Sequence, residues 1–342
     1  MQEPVLKSYG IAAVLLLIPV LIVEFLLGAI GFDVVKFPPA LLVLTIHYGA
    51  GAVLIRELAR RWRKRLASIL LLGAVYGVFN EGLDSGGFFE ANFYTFAGFG
   101  SQNFGSWAGV NIEGALTITV VHAIFTIALP IIIVDALFPN YAQRRLLGDK
   151  ALTGLYVLYV AATAIIILHR QPPINPFGLV LVTAATVFLT LTAEMLPSPR
   201  GSASQKTPTE ATLFLIGFFG AFAWLLLIPK VLSSIHAPTA VHVMTTLALI
   251  SCVFWLFLRL PDISDHRSLA FAAGAEAPFL AHAVTSGLFV PAAVTLLLLV
   301  AARRRSGDEI ARPRTLLGTM ALGLAGLVAA VLTTLLLERI FS

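Results

Sequence analysis

The chain has 342 residues, 58% of them apolar and only 12% charged, with 24 Phe, one Cys and a formal charge of +5. Soluble domains carry about 25% charged residues, so this composition, with a mean hydropathy of +0.91, excludes a water-soluble globule and a disordered chain alike. At roughly 20 apolar residues per crossing, the length holds about ten membrane helices and no soluble domain of useful size.

Ten apolar segments follow one another: 9–30, 38–56, 66–86, 110–137, 151–169, 176–196, 211–229, 239–259, 275–302 and 315–339. A backbone in hydrocarbon must satisfy its own hydrogen bonds, so these read as an all-α, polytopic transmembrane helix bundle. The first run, Tyr9 to Ile30, is too long for a signal-peptide core and carries Glu24, which marks it as a retained helix. Pro38 stands where a helix can start, and Thr207-Pro208-Thr209-Glu210 reads as a capping box. The polar stretch from Pro197 to Gln205 is the linker-like part of the chain. It divides a first membrane half, 1–196, from a second, 211–342, with 197–210 between them on the cytoplasmic side.

Loop charges give orientation. Arg56 to Arg65 holds six basic residues against Glu57, and the loop from Pro139 to Lys150 holds Arg144, Arg145 and Lys150. Both read as cytoplasmic, which puts the amino terminus inside the plasma membrane and the 87–109 loop outside. In this scheme Arg303, Arg304, Arg305, Arg312 and Arg314 fall on the wrong side. Either a weaker segment does not cross, or the ninth turns back near Pro278. Lys and Arg lie in short loops between apolar runs, so the basic balance does not point to nucleic acid. The Arg56–Arg65 cluster with Trp62 serves as a topological anchor or attracts anionic lipid headgroups.

The segment from His122 to Pro130 is echoed 160 residues later by His282 to Pro291. If genuine, the echo makes two inverted five-helix halves, a common plan among secondary transporters; chance is the other reading.

An ionisable group in hydrocarbon costs at least about 2.5 kcal/mol, so each one needs a partner or a task. Glu24, His47, Glu81, His122 and His282 lie deep in their segments, whereas Asp135, Glu194, Lys230, His236 and His242 lie near ends where they can snorkel. At 1.5 Å per residue, Glu81 stands roughly 22 Å beyond Leu66, His122 roughly 18 Å beyond Val110 and His47 roughly 14 Å beyond Pro38. Gly77, Glu81 and Asp84/Ser85 share one helical face, as do Thr119, His122, Thr126 and Pro130. A solute or proton path through His47, Glu81, Asp84, Thr119, His122, Thr126 and His282 is one reading. Interhelical hydrogen bonding alone is a second, and a hydrolytic centre on Glu81 and His122 a third.

The loop from Gly86 to Gly109 carries eight aromatic residues among six glycines. It lies on the interface as an aromatic belt or folds back as a cover over helices three and four. The single Cys252 excludes disulfides and cysteine-based zinc sites. No phosphate-binding loop, zinc-protease helix, nucleophile elbow or dinucleotide fingerprint is present, so no cofactor is expected, and the metal question stays open.

The stretch Tyr76-Gly77-Val78-Phe79-Asn80-Glu81-Gly82, with His122 following 41 residues after Glu81, resembles the first motifs of the CAAX-protease and bacteriocin-processing intramembrane protease family. The resemblance implies that Glu81 activates water and His122 helps polarise a carbonyl. Asn80 stands where that family has its first glutamate, Ser85 where it has arginine, Ile118 where it has phenylalanine and Ser286 where it has asparagine. A wider block, from His47-Tyr48-Gly49 through Arg56-Glu57 and Glu81-Gly82-Leu83 to Phe138-Pro139, resembles uncharacterised bacterial and archaeal multi-pass membrane proteins. That likeness implies no activity. Three functions therefore stand: a secondary transporter-like carrier, an intramembrane hydrolase, or a non-catalytic membrane subunit.

Overall fold

The computed structural model describes residues 2–27, 38–64, 66–90, 109–170, 176–197, 208–223, 237–259, 265–285 and 289–305, with the single positions 95–96, 100–101, 107, 231–232 and 235. The expected tenth segment, most of the linker, Lys230, His236 and the side chain of His282 lie outside the described residues.

The chain is a helical membrane bundle. Its helices are α1 (Gln2–Val20), α2 (Pro38–Arg61), α3 (Leu66–Phe79), α4 (Ile112–Val121), α5 (Leu129–Leu137), α6 (Asp149–Arg170), α7 (Pro176–Met195), α8 (Glu210–Phe222), α9 (Thr239–Arg259), α10 (Asp265–Thr285) and α11 (Phe289–Arg305). Three are prolonged by π-helical turns: Leu21–Leu26 after α1, Asn80–Asp84 after α3, and His122–Ala128, which joins α4 to α5. Among the described residues six rods are long and apolar enough to cross a bilayer: Leu6–Leu26, Pro38–Arg61, Leu66–Asp84, Ile112–Leu137, Asp149–Arg170 and Pro176–Met195.

The rod Ile112–Leu137 is the axis of the bundle. Its apolar window is 83% buried, against 11% for α6 and 17% for α7. Every residue of α5 is buried, and α1, α2, α10 and α11 pack around it. On α6 and α7, Val157, Leu168, Val180 and Phe188 are exposed, the pattern of a face that meets lipid.

Small residues set the closest crossings, as expected where lipid supplies no hydrophobic drive between helices. A Cβ on Gly77 would lie 2.9 Å from Thr119 Cα and 3.0 Å from His122 Cβ, so α3 and α4 touch backbone to backbone there. A Cβ on Gly274 of α10 would lie 2.0 Å from the Phe214 carbonyl oxygen of α8.

Two boundaries differ from the sequence expectation. The expected ninth span, 275–302, is two helices, α10 and α11, which pack on each other. The echo His282–Pro291 therefore falls across a helix break, while His122–Pro130 belongs to a continuous rod. The cap of α8 is Thr209, not Thr207: its hydroxyl accepts from the Thr212 amide at 3.1 Å. Proline at 208 has no amide hydrogen to be satisfied, so the cap moves to the first hydroxyl beyond it.

The 86–109 loop is neither a bare belt nor a simple cover in its first part. Phe88 is buried, and Phe89 abuts Gly178 of α7, where a Cβ would meet its ring at 2.1 Å. Beyond it, Thr95–Phe96 and Gly100–Ser101 pair antiparallel as a two-residue ladder, and Trp107 is exposed.

Candidate functional site

Much of the buried polar cluster of the first half sits on the three π turns. Glu24 lies on the first, Asn80, Glu81 and Asp84 on the second, and His122 and Thr126 on the third. A π turn adds one residue to the helical circuit and closes i→i+5 bonds, as from the Ser85 amide to the Asn80 carbonyl at 2.7 Å. The extra residue re-aims side chains that a regular helix would spread round its surface. His47, on the regular helix α2, faces this cluster from the other side.

The side chains from Ser85 to His47 form one buried hydrogen-bonded chain, and the Asp84 carboxylate stands at ion-pair distance from His47 at its end. The Ser85 hydroxyl donates to Glu81 Oε2 at 2.5 Å, and Glu81 Oε1 lies 3.0 Å from His122 Nε2. Asn80 Nδ2 lies 3.1 Å from the same His122 Nε2 and 3.3 Å from Glu81 Oε1. On its other side, Asn80 Oδ1 is 2.8 Å from His47 Nε2, which is 2.9 Å from Asp84 Oδ2. The outer ring nitrogens are held as well: His122 Nδ1 is 2.8 Å from Thr126 Oγ1, and His47 Nδ1 is 3.2 Å from Thr163 Oγ1 of α6.

These contacts constrain the protons. With Asn80 Oδ1 turned to His47, His47 Nε2 carries the hydrogen and its Nδ1 accepts from Thr163. Asn80 Nδ2 then donates to the lone pair of His122 Nε2, and His122 Nδ1 donates to Thr126. Glu81 Oε1 lies against that same ring nitrogen, whose single lone pair serves one donor at a time.

Aromatic rings enclose the chain. Tyr159 stacks on His47 with centroids 5.2 Å apart and planes 10° apart, and Tyr76 meets His122 edge-on at 5.6 Å. The Tyr48 hydroxyl is hydrogen-bonded to Glu24, which extends the polar region to α1. His47, Asp84 and Thr126 are fully buried, whereas Glu81 and Ser85 each retain 7% exposure. The accessible end is therefore the one beside the Gly86–Gly87 turn.

Of the expected site residues, His47, Glu81, Asp84, His122 and Thr126 come together. Thr119 does not: it lines an apolar cavity of about 530 Å³ bounded by α3, α4, α7, α8, α9 and α10. Thr119 stands three residues before His122, about 60° round the regular helix from it, and the π turn starting at His122 carries Thr126 further from it. Asn80, Ser85, Tyr48, Tyr159 and Thr163 were not expected in the centre. The adjacency of Asn80 to Glu81, and the four-residue spacing of Tyr159 and Thr163, were the available signals. Among the described residues, no group of three or more His, Cys, Asp or Glu is arranged to hold a metal ion.

The basic end departs further from its expected role. Arg56 is fully buried. Its guanidinium donates to Asp135 Oδ1 at 2.9 Å and to the carbonyls of Tyr141, Ala142 and Arg144 at 2.8, 3.2 and 3.2 Å. Glu57 accepts from the Leu146 amide at 2.8 Å and from Arg61 at 2.7 Å. Asp135 also pairs with Arg60, and Lys64 donates to the carbonyls of Glu194 and Leu196 at the end of α7. Four of the six cations thus fasten the protein to itself, while Arg63 stays exposed. Asp135, expected to snorkel, is a buried ion-pair partner, because Arg56 is one turn from the end of α2 and reaches it.

No curated protein and no solved structure matches this chain. The family model that does match carries no link to the intramembrane proteases. It spans residues 13–339 and is described as an uncharacterized membrane protein family, to which this chain belongs.

Proposed function

We propose that this protein is a proton-coupled carrier of a small solute, with the Glu81–His122 and His47–Asp84 pairs as its proton-binding centre. The observation that carries this reading is the continuous chain Ser85–Glu81–His122–Asn80–His47–Asp84, in which two carboxylate–imidazole pairs share one amide. A bundle that needs only adhesion satisfies each buried polar group once, at about 0.6 kcal/mol per interhelical bond. Here titratable groups converge on common atoms, so the proton count of one pair bears on the other.

Asn80 supplies the coupling. With its oxygen toward His47, the hydrogen on Nε2 belongs to His47; with the amide turned over, it belongs to His122. The two imidazoles thereby exchange roles without any movement of the helices.

The hydrolytic reading fits less well. Both oxygens of Glu81 are engaged by Ser85, Asn80 and His122, so the carboxylate that would have to activate water is already occupied by side chains. In the membrane, we place the amino terminus and the Arg56–Arg65 end in the cytoplasm, and we retain the division into halves 1–196 and 211–342. The α10–α11 hairpin supports this orientation, because it returns Arg303–Arg305 to the side from which α10 sets out.

Proteoliposomes containing a pH-sensitive dye test the carrier. A solute from a panel of small organic ions and neutral metabolites, added under an imposed pH gradient, should provoke dye-reported proton movement. Glu81→Gln should slow that movement at least about tenfold, equivalent to 1.4 kcal/mol, with the melting temperature kept. Wild-type vesicles no faster than protein-free vesicles across the panel would overturn the proposal.

A further inference from the structure

Glu276 of α10 is fully buried, and neither of its carboxylate oxygens has a hydrogen-bond partner. Thr295 of α11 is equally buried, and its hydroxyl is equally without a partner. The two helices pack on each other. Counted at 1.5 Å per residue from Thr285, where α10 ends, and from Phe289, where α11 begins, Glu276 lies roughly 14 Å and Thr295 roughly 9 Å along their helices. They therefore stand within about one helical turn of the same depth.

The elements packed against α10 are α5, α8, α11 and the π turn Leu21–Leu26. Among the described side chains, the charged groups they carry have partners of their own. Asp135 pairs with Arg56 and Arg60, and Glu24 is bonded to Tyr48. Glu210 lies in the first turn of α8, and Arg303–Arg305 form the far end of α11. On α10 itself stand Asp265, His266, Arg267 and, six residues beyond Glu276, His282. Among the described side chains, none forms an ion pair with Glu276.

A carboxylate held away from water with no cation beside it is too costly to keep ionised, so the group takes up a proton. The neutral acid still has an O–H to donate and a carbonyl oxygen to fill, and the Thr295 hydroxyl has the same need. A single water with two to four hydrogen bonds meets both demands.

We propose that α10 and α11 enclose a second proton-binding site, in which Glu276 carries the proton and a water molecule joins it to Thr295, separate from the Glu81 chain. The site gives the second half of the protein a titratable centre of its own. It stands on the burial and isolation of these two side chains and does not depend on the role of Glu81.

Infrared difference spectroscopy on the protein in lipid nanodiscs at neutral pH tests it. The wild-type spectrum minus that of Glu276→Gln should show one protonated-carboxyl band. The band should persist when both proteins also carry Glu81→Gln, move to lower frequency on transfer to D2O, and shift in Thr295→Val. Glu276→Asp, which keeps the acid, should retain a band at a displaced frequency, so a folding defect in the glutamine variant does not hide the answer. A flat difference spectrum, or a band indifferent to D2O, overturns the site. A band unmoved by Thr295→Val overturns the water bridge.

Discussion

A side-chain amide has one face that accepts and one that donates, and Asn80 presents them to two different histidines. Asn80→Leu fills a similar space without either face. It should remove two buried hydrogen bonds at about 0.5–1.5 kcal/mol each, visible as a fall in melting temperature in detergent, and should abolish proton movement. Asn80→Asp tests the coupling more narrowly: it keeps an acceptor on both sides and fixes a charge between the imidazoles, so the fold should survive while solute-linked proton movement is lost. Unchanged transport in Asn80→Asp would remove the amide from the mechanism. Glu81, His122 and His47 were legible in the sequence as costly groups in apolar runs. Asn80 was not, because a neutral amide costs less to bury and stands out only once its two partners are placed beside it.

At the scale of the element, the π turns explain which part of the pattern could be read ahead. Rod lengths follow from hydropathy alone, and α2, α6, α7 and α9 begin or end within a few residues of their expected limits. Side-chain phase follows less simply: Thr119 lies about 60° round the helix from His122 and lines the apolar cavity, while the π turn from His122 onward keeps Thr126 within hydrogen-bond reach of the ring. The crossing at Gly77 is the matching constraint on α3. Gly77→Val would drive atoms into the Thr119 and His122 backbone region and should cost about 1–3 kcal/mol through overpacking. It should also part Glu81 from His122. Melting curves and the vesicle assay together check this, since a variant that melts early but moves protons normally would show that the two helices tolerate separation.

Across the whole molecule, the basic end acts as a clasp. Arg56 holds the turn after α5 through three carbonyls and Asp135, so the ends of α2 and α5 cannot move apart independently. Removing one partner of a buried pair leaves the other uncompensated, at about 3–5 kcal/mol; Asp135→Asn should therefore destabilise the protein strongly. The double variant Asp135→Leu with Arg56→Met should recover part of that loss in the same melting assay. The hairpin of α10 and α11 was hidden in the sequence because Ser286, Gly287 and Leu288 do not interrupt the hydropathy of 275–302. A reporter fused after Arg305 should face the same side as one placed after Arg145, and opposite labelling would invert our assignment of the second half.

Helix α7 is held at two points. Lys64 grips its last carbonyls at one tip, and Phe89 is wedged against Gly178 near the other, while the apolar cavity lies behind its waist at Leu181, Ala185 and Phe188. Between those points α7 packs along α3, with Val182 seated on Gly82. A guest in the cavity would be parted from the surrounding lipid by this one rod, whose outer face exposes Val180, Val187 and Leu191.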